Sequence, residues 1–265
     1  MPRPQILVCS YHKTGTVLFG NIMAKLCVRL SLQMAERFGM VQRIDPALDV
    51  VLLAHSLLAT PPARPFRAIR LVRDPREIWV SGYLYHRRCR EPWCLNGNFT
   101  PPPPIGFPHV PYAFAHRRER FKRDYLASLG GRSYQQNLLT LDQAAGLDFE
   151  LARYTGCTLA DMQAWTLRTP DVLDVRLEDV TANFDANMQA ILHHLGFTGA
   201  DLDTALEIAR SEDISRMDED TIAANPHIHS RNAAKWRSLL SPEQIRDFER
   251  RYGALITELG YERVT

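Results

Sequence analysis

The chain has 265 residues, 45% of them hydrophobic and 23% charged, a mixture that supports a sizeable packed core and makes disorder no default. Its formal net charge of +2 is too small to point to nucleic acid. No apolar run approaches the ~20 residues of a membrane span, so a cytoplasmic protein without a membrane or nucleic-acid partner is expected.

The first element is the apolar run Ile6-Leu-Val-Cys-Ser10, which reads as a strand and breaks into the polar turn Tyr11-His12-Lys13-Thr14-Gly15-Thr16. Val17, Leu18, Ile22, Met23, Leu26, Leu30 and Met34 then recur at steps of three and four, predicting a helix over 17–38. This strand-turn-helix order leaves the amides of residues 13 to 17 at a helix N-terminus, where the partial positive charge favours phosphate or sulfate, and Lys13 adds a full charge. The nucleoside-triphosphatase loop needs a glycine, four residues, then Gly-Lys-Ser/Thr, but here no glycine precedes the lysine.

Asp49-Val-Val-Leu-Leu-Ala54 follows as a strand buried on both faces and ending at His55. A proline-rich stretch at 61–65 leads to a third strand, Ala68 to Val72, ending at Arg73. Asp74 and Pro75 then suit the cap and first residue of a helix running to about Arg87. The basic clusters at 86–90 and 116–123 read as solvated helix faces. Residues 89–111, rich in proline, read as a long irregular loop, the kind that serves as a lid or binding segment. Helices are expected near 112–129 and 148–167, with a weaker one between.

A strand at Asp171–Leu177 ends at Glu178 and precedes a helix at 179–195. A polar loop spans 218–234, and a last helix over 241–259 has Ser241 and Pro242 as cap and first residue. Cys9 and Cys27 fall at apolar positions and read as buried thiols; only Cys89 and Cys94 are close enough in sequence to suggest a pair, and no ligand spacing suggests a metal.

Strands alternating with helices predict one domain over 1–265 with a three-layer α/β fold, a mostly parallel central sheet and a phosphate-binding strand-loop-helix. Lys13, His55, Arg73 and Glu178 each stand just past a predicted strand, at the sheet edge where ligands of open parallel sheets bind.

Two motifs together resemble the sulfotransferases that use 3'-phosphoadenosine-5'-phosphosulfate (PAPS). The lysine-first turn Lys13-Thr-Gly-Thr16 is similar to their 5'-phosphosulfate loop, and Arg73-Asp-Pro-Arg-Glu-Ile-Trp-Val-Ser81 to their 3'-phosphate element. Val175-Arg-Leu-Glu-Asp-Val180 and Arg231-Asn-Ala-Ala-Lys-Trp236-Arg237 are similar to the family's later strand and its late basic loop, although His229, Ser230 and Arg231 stand where the family has Arg-Lys-Gly. The resemblance implies PAPS as co-substrate, no metal, and transfer to a hydroxyl or amine of a small-molecule or carbohydrate acceptor. It implies Lys13 as the residue neutralising the leaving phosphate and His55 as the base. Donor contacts would come from Lys13, Thr14, Gly15, Thr16, Val17, Arg73, Ser81 and Arg231. Leu18 and Leu177 replace the family's adenine-stacking aromatics, so apolar contact is expected there. Glu178 reads either as an alternative base or as a partner for a buried arginine. A kinase-like phosphotransferase and a non-catalytic nucleotide or glycan module are the other readings of this fold.

Overall fold

The structure, a computed structural model, describes residues 3–95, 127–224 and 234–265. The strands are β1 (Gln5–Ser10), β2 (Met34–Val41), β3 (Val50–Leu58), β4 (Phe66–Val72) and β5 (Val172–Arg176). The helices are α1 (Thr16–Leu30), α2 (Pro75–His86), α3 (Pro92–Leu95), α4 (Tyr134–Thr140), α5 (Gln143–Glu150), α6 (Gly156–Gln163), α7 (Leu177–Ala182), α8 (Phe184–His194), α9 (Gly199–Arg210), α10 (Glu219–Ala224), α11 (Trp236–Leu239) and α12 (Pro242–Glu258). Two compact units are formed, one from Met1–Arg73 with Ala164–Ile222, the other from Asp74–Gln163 with Ala223–Thr265.

The first unit holds a five-stranded sheet, parallel throughout among the described residues, in the order β2-β3-β1-β4-β5. The expected α/β class with a parallel central sheet is what the chain adopts. β1 is central because all six of its residues are buried, Ile6 pairing with Val50 on one side and Arg67 on the other. Ile6 and Val8 face Phe19, Ile22, Met23 and Leu26 of α1 and Met188, Ile191 and Leu192 of α8 in one apolar cluster. Leu7 and Cys9, pointing the other way, are buried too, as in strands of parallel sheets.

Three expectations are corrected here. The first helix ends at Leu30, not at 38, because Ser31 adopts the left-handed conformation with φ 55° and its N–H, like that of Leu32, bonds to the Cys27 carbonyl. This C-cap frees Met34–Val41 to form an edge strand that the helical spacing had concealed. β3 does not stop at His55; it continues to Leu58 through a bulge, Phe38 facing Ala54 and Gly39 facing Ser56, so that His55 is the extra residue. The helix expected over 179–195 is two, α7 and α8, broken at Asn183.

In the second unit, α2 opens as expected. The Asp74 carboxylate accepts the Arg76 N–H at 2.9 Å, and Pro75 is the first helical residue. The helix expected near 148–167 is α5 and α6 joined by a π-helical turn at Leu151–Thr155. That wider turn lets the Thr155 hydroxyl reach back to Glu150 at 3.0 Å. The first residues of the expected irregular loop include the short helix α3, and the rest of 89–111, with most of the helix expected at 112–129, lies outside the described residues. His86 is no part of a solvated face: it is fully buried, its Nδ1 2.8 Å from Glu150 Oε2. The last helix has the capping box Ser241/Gln244 that its sequence signals.

Candidate functional site

In the first unit the turn after β1 is tied to one carbonyl. Tyr11 O accepts the hydroxyls of Thr14, at 2.9 Å, and Thr16, at 3.1 Å, while Thr14 Oγ1 accepts the Tyr11 N–H. Both threonines that the sequence offers as donor ligands therefore hold the shape of the turn, and Thr14 is fully buried. Gly15 stands at φ 109°, and a Cβ there would lie 3.2 Å from Leu177 Cδ1. Its place is fixed both by a backbone conformation that L-residues rarely adopt and by the closeness of that leucine.

α1 then begins with no side-chain cap, so its first amides have no acceptor within the helix. That is the arrangement a bound anion completes. Val17, on the first turn, is 40% exposed.

Lys13 has φ 63° and His55 φ 49°. Left-handed backbone at such residues costs about 1–3 kcal/mol and persists only where the surroundings enforce it. At Lys13 the enforcing group is Arg73, whose guanidinium NH1 donates to the Lys13 carbonyl at 2.9 Å while its Nε lies 3.7 Å from Glu178 Oε1. The Arg73–Glu178 contact favours the reading of Glu178 as an arginine's partner. At His55 the bulge is pinned by Ser56, whose hydroxyl lies 2.8 Å from the carbonyl oxygen of Arg37 and 3.0 Å from that of Ala54, its one proton shared between them. The His55 ring has two ring neighbours, His12 with centres 5.5 Å apart and Phe38 stacked at 6.4 Å. Phe38 comes from the strand that the helical spacing had concealed.

The second unit holds Ser81 and, beside it, two residues that the motifs contain but to which no role was assigned, Glu77 and Lys235. The Ser81 hydroxyl donates to Glu77 Oε1 at 3.3 Å. Glu77 is fully buried, ion-paired with Lys235 through the same oxygen, and accepts the Trp236 N–H on Oε2 at 3.1 Å. Arg76, held by Asp74 and Glu249, stacks on the Trp236 ring at 4.1 Å. The sequence signal for Lys235 was its place beside Trp236 in the late basic segment. Arg231, like His229, lies outside the described residues.

The same unit buries a further carboxyl. Asp161 on α6 is pushed up from 3.8 to about 9 by loss of water. In the first unit, burial likewise raises Cys9 to about 12. Among the described residues no helix is long and apolar enough to cross a membrane.

No protein-family model matches the chain, and no curated protein does. Among solved structures it is similar to the mouse sulfotransferase SULT7A1 complexed with PAP, at 15% identity over 97% of this chain and 86% of that one, with a TM-score of 0.44.

Proposed function

We propose that the chain is a sulfotransferase that moves the sulfuryl group of PAPS in line to a hydroxyl or amine of a small-molecule or carbohydrate acceptor. The observation that carries this reading is the backbone at Lys13 and His55. Among the described residues, the non-glycine positions with positive φ are Lys13, Ser31 and His55. Ser31 has a local reason, the C-cap of α1. The other two are the residues assigned to leaving group and base, and strain held in place at two such side chains is what a pre-organised site requires.

In this reading the Lys13 ammonium and the open amides of α1 meet the 5'-phosphate oxygens, neutralising the charge that grows as the bond from sulfur to the bridging phosphate oxygen breaks. His55 takes the acceptor proton as the new bond from sulfur to the acceptor forms. Arg73 holds the Lys13 carbonyl and so sets the turn, in addition to the 3'-phosphate contact that its motif implies.

The test is a pair of measurements. Adenosine 3',5'-bisphosphate without magnesium should raise the melting temperature, whereas ATP should not. Release of that bisphosphate from PAPS, followed over an acceptor screen, should be lost in Lys13→Ala and His55→Ala. Stabilisation by Mg-ATP alone would instead support a kinase-like enzyme, and turnover retained in both variants would overturn the assigned roles.

A further inference from the structure

The buried carboxylate of Glu77 has no role in the reading above, and its surroundings suggest one. It stands four residues before Ser81 on α2, so the two side chains share a helix face. A fully buried carboxylate is costly unless its charge is met, and Lys235, itself only 7% exposed, meets it. Replacing such a pair with apolar residues is often neutral or favourable for stability, so a contribution to folding is a poor reason for having it.

Its geometry supplies a better one. Through Oε1 the carboxylate holds the Ser81 hydroxyl, and through Oε2 and the Lys235 ammonium it holds the chain at Lys235–Trp236. Arg76 fixes the Trp236 ring next to this anchor.

We infer that Glu77 and Lys235 are a positioning pair for the donor's 3'-phosphate. Glu77 keeps the Ser81 hydroxyl in place, and Lys235 balances the carboxylate so that it does not repel the incoming anion. This rests on the sulfotransferase reading, in which Ser81 is a 3'-phosphate ligand. A serine hydroxyl has one proton to donate. At 3.3 Å the bond to Glu77 is longer than the ~2.7–2.8 Å usual between oxygens, so moving that proton to a phosphate oxygen forfeits little. Once the proton turns away, Glu77 still has the Lys235 ammonium and the Trp236 N–H.

The readout is the ratio of the dissociation constants of AMP and adenosine 3',5'-bisphosphate, which isolates what the 3'-phosphate adds to binding. In Lys235→Met the carboxylate loses its balancing charge, and the ratio should fall by about tenfold or more while AMP affinity holds. Adding Glu77→Gln removes that charge as well, and the double variant should return to within about threefold of the wild-type ratio. A pair that only supports the fold would change both ligands alike and leave the ratio unmoved.

Should Lys235→Met fail to fold, Glu77→Leu combined with Lys235→Met, which buries no unbalanced charge but removes the acceptor that holds the Ser81 hydroxyl, still decides: the ratio should fall there, and a wild-type ratio in that variant overturns the inference, as does a wild-type ratio in a folded Lys235→Met. A wild-type protein that binds both nucleotides equally, or neither, would count against the sulfotransferase reading itself.

Discussion

Two helices open beside residues chosen from the sequence as donor contacts, and they open in opposite ways. α2 begins fully provided for: Asp74 accepts the Arg76 N–H, Pro75 has no N–H to satisfy, and Glu77 lies in the first turn. α1 begins on Gly15, with no side-chain cap and no acidic residue in its first turn. A helix start that supplies its own acceptor has little left for a ligand, so α2 must contribute through a side chain further along, Ser81. A start left open has backbone donors and the helix dipole to offer. On the sulfotransferase reading the first motif would meet phosphate through main chain and Lys13, and the second through side chains.

The largest effect that follows is at Lys13. Lys13→Ala removes the full charge from the open helix start and should lower kcat/KM for PAPS by about a hundredfold or more, as loss of a group that stabilises a charged transition state does elsewhere. A loss under tenfold in steady-state turnover would mean that the lysine is a bystander. Gly15→Ala comes next. It forces a Cβ into φ 109° and to within 3.2 Å of Leu177 Cδ1, and should cost about 1–3 kcal/mol in thermal melts together with weaker nucleotide binding. Gly15→Asn sharpens the contrast with α2: asparagine tolerates left-handed backbone better, but its side chain can accept from the first amides of α1. It should thus recover stability relative to alanine without recovering affinity in calorimetric titration.

A second contrast lies between two buried acids of one unit, Glu77 beside its lysine and Asp161, whose titration is shifted by burial. Burial alone pushes Asp161 to about 9 from 3.8. Between those two values the folded chain keeps a proton that the unfolded chain releases. The folded state then binds more protons than the unfolded one, and stability falls as pH rises through the window. Asp161→Asn removes this dependence. It should leave stability near pH 4 almost unchanged and raise it progressively towards pH 8, by at most about 1.4 kcal/mol for each pH unit inside the window. Denaturant melts at the two pH values check it; equal gains at both would show that Asp161 is ionised in the fold.

The parallel sheet was legible because β1, β3 and β4 are built on apolar runs of the kind buried strands show, and β5 on the shorter alternation around Val172, Leu173 and Val175. β2 was not. Glu36, Arg37 and Phe38 face solvent on this edge strand, and the helix before it stops at a serine where glycine or proline would have given warning. His55 was visible as a residue and hidden as a conformation, since a bulge arises from the register of two strands and not from either alone. The ring neighbours of His55 were hidden for the same reason, Phe38 having been assigned to a helix. Glu77 and Lys235 were harder still: 158 positions separate them, and charged residues at helical spacing read as surface until the partner is seen.

The smallest effect tests whether capping in this chain is ordinarily a matter of stability, with α1 the exception. Ser241 closes α12 through a reciprocal box, its hydroxyl accepting the Gln244 N–H at 3.1 Å and its own N–H donating to Gln244 Oε1 at 3.1 Å. Ser241→Ala leaves one amide of that helix to water and should cost about 1 kcal/mol, with nucleotide affinity unchanged. In a chain of this size that corresponds to roughly 2–4 °C in melting temperature. A drop in affinity as well would mean that a helix end outside the proposed site governs binding, and the division of labour between open and capped helix starts would fail at its simplest case.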